Sequence, residues 1–212
     1  MDHQDKSGKI DIPKKAIYRL SIYLRSLQKL HANQVSTVSS TTLAKVAGVK
    51  SSQLRKDLAY FGQFGTRGLG YPVELLTTMI RETLGRERLQ PVILVGAGNL
   101  GSALLRYHGF EKEGFEVIAA FDAKPDAAIS RGVRIPVFAD HLLEDFIKEK
   151  SVKLAILCVP SEHAQLTANR LVHAGIQGIL NFSPVMLEVG SDITINNVDL
   201  ALELEHLSYF IR

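Results

Sequence analysis

The 212-residue chain has one cysteine, Cys158, so no internal disulfide framework can be built. Its seven histidines stand at positions 3, 31, 108, 141, 163, 173 and 206, with no H-x-x-x-H step and no cysteine pair beside them. A metal site is therefore not expected. No apolar run approaches the roughly 18 residues of a membrane span. The opening MDHQDKSGKIDIPKK carries no apolar signal-peptide core. The expectation is a cytoplasmic protein without membrane contact. Cys158 itself closes the apolar stretch LAILCVP, where a small buried filler is a simpler reading than a nucleophile.

Charge of one sign is scarce in each half. Residues 1–90 hold fifteen Lys and Arg against seven Asp and Glu, and residues 91–212 hold ten against fifteen. The first part is thus +8 and the second −5, recovering the overall +3. With 46% hydrophobic residues the chain can build one large or two small domains, and the charge split favours two. A basic first part suits a polyanion such as DNA, although a solvated basic surface has the same composition.

The most informative stretch is VILVGAGNLGSALL, residues 92–105. An unbroken apolar run predicts a strand buried on both faces, leading into a G-x-G-x-x-G turn and a helix. Gly96 permits the turn, Gly98 lets backbone approach a pyrophosphate, and Gly101 allows close helix-to-strand packing. Ala97, Asn99 and Leu100 complete the turn, whose free N–H groups and dipole would face phosphates. The second strand, FEVIAAFD, ends in Asp122, the carboxylate this motif requires about 20 residues on. Asp122 would accept from ribose hydroxyls and repel a 2′-phosphate, favouring NAD(H); Lys124, two residues on, tempers that preference. A coenzyme A-type nucleotide is the alternative ligand.

Upstream, Pro13 opens an amphipathic helix with Ile17, Leu20, Leu24, Leu27 and Leu30 on its packed face. The cluster at residues 39–42 offers an N-cap to LAKVAGV, and SSQLRKDLAYF follows at once, which reads as a helix-turn-helix. The second helix of that motif enters the major groove, making Ser51, Ser52, Gln53, Arg55 and Lys56 candidate contacts, with Leu54, Leu58 and Phe61 buried. The glycine-rich GQFGTRGLGY then reads as a wing, a small hairpin whose Arg67 reaches a minor groove. A glycine linker is the plainer alternative. Pro72 opens a further helix to Leu84.

The second part alternates strand and helix as a doubly wound parallel sheet does: strands near 92–95, 115–121, 133–138, 153–159 and 178–182, with helices from Asn99, at 141–150 and at 162–174. Val159 and Pro160, with Ser183 and Pro184, close two strands at their carboxyl ends and are placed to flank a nicotinamide. Residues 186–198 suggest a β-hairpin. The last helix, 199–211, is more apolar than one buried face needs, so it fits a partner subunit, or alternatively its own N-terminal domain. Near the strand ends only Cys158, Ser161, Ser183 and His163 stand by for acid-base work, each more simply structural. No catalytic residues are assigned, and the cofactor reads as a ligand to be sensed.

These motifs, RKDLAYFG, GTRGLGY, VGAGNLG, GIQGILNFSP and NVDL, resemble the Rex family of redox-sensing transcriptional repressors from about Ile12 to Phe210. Residues 1–12 are polar and read as a disordered tail. The resemblance implies an α/β chain: a winged helix-turn-helix domain at 13–85, an NAD(H)-binding Rossmann domain at 91–198, and a terminal dimerisation helix at 199–212 swapped between subunits. It implies a homodimer that binds a palindromic double-stranded operator when apo or NAD+-bound and is released by NADH. It further implies a relay in which Tyr107 alternates between Arg25 and Asp199 of the other subunit. Cys158 stands where members often have threonine, and Leu200 where some present an aromatic toward the nicotinamide. The alternative function is an NAD-dependent oxidoreductase with an accessory nucleic-acid-binding domain.

Overall fold

The computed structural model describes residues 12–62, 65, 69–85, 88–129 and 132–211. Arg67 and nearly all of the segment expected to be a disordered tail lie outside the described residues. The chain divides into two compact units, Met1–Arg88 and Leu89–Arg212.

In the first unit, α1 (Lys14–Ala32) starts after Pro13, whose fixed φ and missing N–H suit a helix start. Its buried stripe is Ala16, Leu20, Tyr23, Leu24 and Leu27. Ile17 is exposed instead of packed, because the stripe runs through 16, 20, 23 and 27 and leaves 17 at its edge. Strand β1 (Thr37–Val38) leads to α2 (Ser40–Val46), where Ser39 Oγ accepts from the Thr42 N–H at 3.0 Å. A turn through Gly48, at φ +68°, delivers α3 (Ser51–Ala59). Strand β2 (Tyr71–Pro72) and α4 (Val73–Thr83) complete the unit, α4 packing on α1. Among the described residues β2 pairs antiparallel with β1 and not with the residues before the glycine-rich loop. Two-residue strands carry no hydrophobic alternation from which that partner could be read.

The second unit is a six-stranded, all-parallel sheet in the order β5-β4-β3-β6-β7-β8. In chain order it runs β3 (Gln90–Val95), α5 (Asn99–Leu105), α6 (Gly109–Lys112), β4 (Phe115–Asp122), α7 (Pro125–Ile129), β5 (Val137–Ala139), α8 (Leu143–Lys150), β6 (Leu154–Leu157), α9 (Ser161–Ala174), β7 (Gly178–Asn181), β8 (Thr194–Asn197) and α10 (Leu200–Tyr209). The unbroken apolar run of β3 is explained by cores on both faces: Ile93 and Val95 join Phe121, Leu157 and Leu171 on one side, Val92 and Leu94 join Leu105 and Ile156 on the other. Strand order reverses between β3 and β6, the crevice position where such sheets bind ligands.

Residues 186–198 do not form the expected hairpin, since β8 lies parallel to β7 with Gly178 opposite Thr194. Ile193 and Ile195, two residues apart, pack on one core, and such alternation does not by itself set the direction in which a strand joins the sheet. Every described residue from Asp199 onward is exposed, including Leu202 at 60% and Ile211 at 85%. No helix among the described residues is long and apolar enough to cross a membrane.

Candidate functional site

The turn after β3 gives each glycine a distinct geometric reason. Gly96 has φ +94°, and a Cβ there would lie 2.6 Å from the Cys158 carbonyl on the neighbouring β6 side of the reversal point. A Cβ on Gly101 would lie 2.0 Å from the Gly96 carbonyl oxygen, so α5 can sit this close to β3 only without a side chain. A Cβ on Gly98 would meet nothing within 4 Å. The chain itself therefore does not need glycine at 98; open space there is what the approach of a phosphate requires. No side chain caps α5, so its first N–H groups, with Asn99 and Leu100 at the start, face that space without intrahelical partners.

Asp122 at the end of β4 closes the other side. Its Oδ2 accepts from the Ala97 N–H at 2.7 Å and its Oδ1 from the Lys124 N–H at 2.7 Å. The carboxylate is half-buried, and each oxygen keeps a further lone pair for a ribose hydroxyl. The Lys124 side chain is exposed. Buried Ser102 donates from Oγ to the Ala97 carbonyl at 2.7 Å, so the peptide at Ala97 is held from both sides. A serine one residue past the last glycine gives no sequence signal for that role.

At the carboxyl ends of β6 and β7 the structure joins the two expected segments. Ser183 Oγ donates to the Val159 carbonyl at 2.7 Å, while Pro160 and Pro184 stay exposed beside them. Asn181, fully buried, accepts from the Ser183 N–H and donates to the Ser183, Val185 and Asn197 oxygens. Cys158 packs among apolar neighbours, and burial pushes its thiol up to about 12. At neutral pH it is a thiol, not a thiolate, which agrees with a filler role.

In the first unit, α3 buries Leu54 and Leu58 and half-buries Phe61 just beyond its end. Ser52, Arg55 and Lys56 are exposed on the opposite side, with Ser51 and Gln53 partly so. Arg55 donates from Nη1 to Ser40 Oγ on α2 at 3.1 Å, a contact easily exchanged for a phosphate. Lys50 at the N-cap supplies no side-chain cap, leaving the first N–H groups of α3 open.

Sequence reasoning missed Asp57. It is 1% exposed and accepts from Arg19 Nε and Nη2 at 2.5 and 2.8 Å, from the Tyr23 hydroxyl at 2.7 Å and from Gln53 Nε2 at 2.8 Å. Burial alone would raise its carboxyl, but these hydrogen bonds outweigh it and hold the group below the usual carboxylate range. Burial, then the bond to Asp57, pushes Tyr23 well above its ordinary value. The three residues fix α3 against α1.

Of the expected relay, Arg25 lies on α1 and is exposed, Tyr107 is 60% exposed with its ring edge-on to Phe110 at 5.1 Å, and Asp199 caps α10. Asp199 Oδ1 accepts from the Ala201 and Leu202 N–H groups at 2.9 and 3.2 Å. Among the described residues no three of His, Cys, Asp and Glu gather to hold a metal.

A helix-turn-helix with its charged side outward, in one chain with a glycine turn of the dinucleotide-binding kind, defines a nucleotide-responsive DNA-binding regulator. Residues 87–185 match the family described as "CoA binding domain", and residues 11–59 the family described as "Putative DNA-binding protein N-terminus". The chain is 47% identical over 204 residues to the redox-sensing transcriptional repressor Rex of Syntrophobacter fumaroxidans, covering 94% of this chain and 96% of that one. It is 44% identical over 204 residues to Rex of Carboxydothermus hydrogenoformans, with 95% and 97% covered. The crystal structure of RSP in complex with β-NAD+ and operator DNA matches with a TM-score of 0.87 at 40% identity, covering 94% of this chain and 92% of that one. RSP with β-NADH matches at 0.83 and 39%, covering 95% and 94%. The chain belongs to the Rex family of redox-sensing transcriptional repressors. That membership sets aside the reading as an oxidoreductase.

Proposed function

We propose that this chain is a repressor that reads the NADH/NAD+ ratio, binding a palindromic operator as a homodimer when apo or NAD+-bound and leaving it on NADH. The observation that carries the proposal is the open space at Gly98 beside the carboxylate of Asp122, in a chain whose other unit exposes Arg55 and Lys56 on a helix-turn-helix. Residues 13–85 then serve as the winged-helix domain, 91–198 as the NAD(H) domain, and 199–212 as a helix exchanged between subunits. The relatives' description as RSP structures with β-NAD+, β-NADH and operator DNA supports this assignment. Asp122 argues against any nucleotide with a phosphate on the adenosine ribose, which includes coenzyme A as well as NADP(H). The cytoplasm is the compartment that fits a DNA-bound repressor.

Two arrangements of the dimer are required. In one, the two α3 helices meet major grooves about 34–36 Å apart on a palindrome, and in the other they do not. Shifting that balance from 1:99 to 99:1 needs about 10⁴-fold preference of NADH for the released form, roughly 5.5 kcal/mol. Shared between two sites this is about 2.8 kcal/mol each, within reach of the desolvation cost that keeps the positive nicotinamide ring of NAD+ out of a dry pocket, together with one exchanged hydrogen bond. The exchanged bond is assigned to Tyr107, between Arg25 and Asp199 of the other subunit. The binding assignment is tested with Arg55→Ala and Lys56→Ala on operator duplex: loss of about 1–3 kcal/mol marks a base contact, and a reduced salt slope a phosphate contact. Unchanged binding in both variants contradicts it.

A further inference from the structure

Gln53 is held from inside the protein. Its Nε2 donates to Asp57 Oδ1 at 2.8 Å, one helical turn further along α3. Asp57 is buried, and its remaining bonds come from the Arg19 guanidinium and the Tyr23 hydroxyl. In that company the carboxylate stays ionised and is an acceptor only. A primary amide beside an obligate acceptor has one permitted orientation, because turning it over would set Oε1 against Oδ1, two acceptors at hydrogen-bond distance. Oε1 is therefore turned away from Asp57. It makes no hydrogen bond within the described residues, and Gln53 stays partly exposed next to Ser52 and Lys56.

A glutamine free to turn over offers either its oxygen or its nitrogen to a base and tolerates both amino and keto edges. We propose that Asp57 is a positioning residue that locks the Gln53 amide, so that Gln53 selects, at one position of each half-site, a base presenting an amino group in the major groove. Adenine N6 and cytosine N4 are the two amino groups available there, whereas a guanine or thymine keto oxygen set against Oε1 opposes acceptor to acceptor. On adenine the second hydrogen of Nε2 can also reach N7, giving the paired contact. This rests on α3 being the DNA-reading helix of the proposed function.

The experiment first selects an operator from a randomised duplex library with the wild-type chain, then repeats the selection with Gln53→Ala. One symmetric position should lose its preference, and it should carry adenine or cytosine on the contacted strand. At that position the amino base is replaced by a keto base, and anisotropy measures both proteins on both duplexes. The wild type should lose about tenfold per half-site, whereas Gln53→Ala should bind the two duplexes within about twofold. Asp57→Asn, if thermal melting shows it folded, should regain tolerance of the keto base, since a neutral amide no longer dictates which end of Gln53 faces it. A wild type indifferent to the exchange, or a Gln53→Ala with the same loss as wild type, overturns the proposal. Failure of the wild type to enrich any sequence overturns the DNA-reading assignment and this proposal with it.

Discussion

Asp122 holds the backbone amide of Ala97, 25 residues earlier in the chain, at 2.7 Å. One carboxylate thereby shapes the glycine turn and, in the proposed cofactor site, carries the charge against which a ribose docks. Asp122→Ala removes both effects. NADH affinity should fall about tenfold or more, in the range of a lost charged hydrogen bond, and NADPH should gain relative to NADH. Calorimetry with the two cofactors checks this; a variant that keeps the wild-type preference contradicts the role.

The glycines separate function from fold. Gly98→Val places its side chain in open space, so thermal stability should change little while NADH binding is abolished. Gly101→Ala sets a methyl 2.0 Å from a backbone oxygen and should destabilise the C-terminal unit by several kcal/mol. Equal melting losses in the two variants would contradict this division.

Asp57 gives the first unit an acid-sensitive clamp. Its folded pKa lies below the ordinary value of 3.8, so its contribution is present above that value and is lost as pH falls through the lower folded pKa. Asp57→Ala should cost about 3–5 kcal/mol at neutral pH by stranding Arg19 and Tyr23, and the difference from wild type should shrink below about pH 4. Denaturant unfolding at pH 7 and pH 3 measures both. A cost independent of pH would show packing loss instead.

The turn at 96–101, its partner carboxylate and the helix-turn-helix were legible because each depends on local spacing. Gly96, Gly98 and Gly101 sit within one turn, and Leu54 and Leu58 lie one helical turn apart. What was not legible depends on distant chain meeting by packing. Asp57 reaches Arg19 across 38 residues and Tyr23 across 34, and reads in sequence as one more surface charge of a helix. The hydroxyl of Ser183 meets Val159 only because β6 and β7 are neighbours. The parallel entry of β8 likewise depends on a sheet edge that alternation does not specify.

In the proposed dimer the apolar α10, exposed at every described residue, finds its partner surface on the other subunit. Deletion of residues 199–212 should yield monomers by light scattering. Asp199→Ala should keep NADH binding measurable but uncouple it from operator release. Release at the wild-type NADH concentration would remove Asp199 from the relay while leaving the sensor assignment standing.

The most direct measurement titrates operator-bound wild-type protein with NADH, NAD+ and coenzyme A in turn, following the anisotropy of labelled DNA at fixed salt. NADH should release the operator, with NAD+ and coenzyme A leaving it bound over the same range. Release by NAD+ as readily as by NADH, or by coenzyme A alone, would contradict a repressor that reads the redox state of the nicotinamide pool.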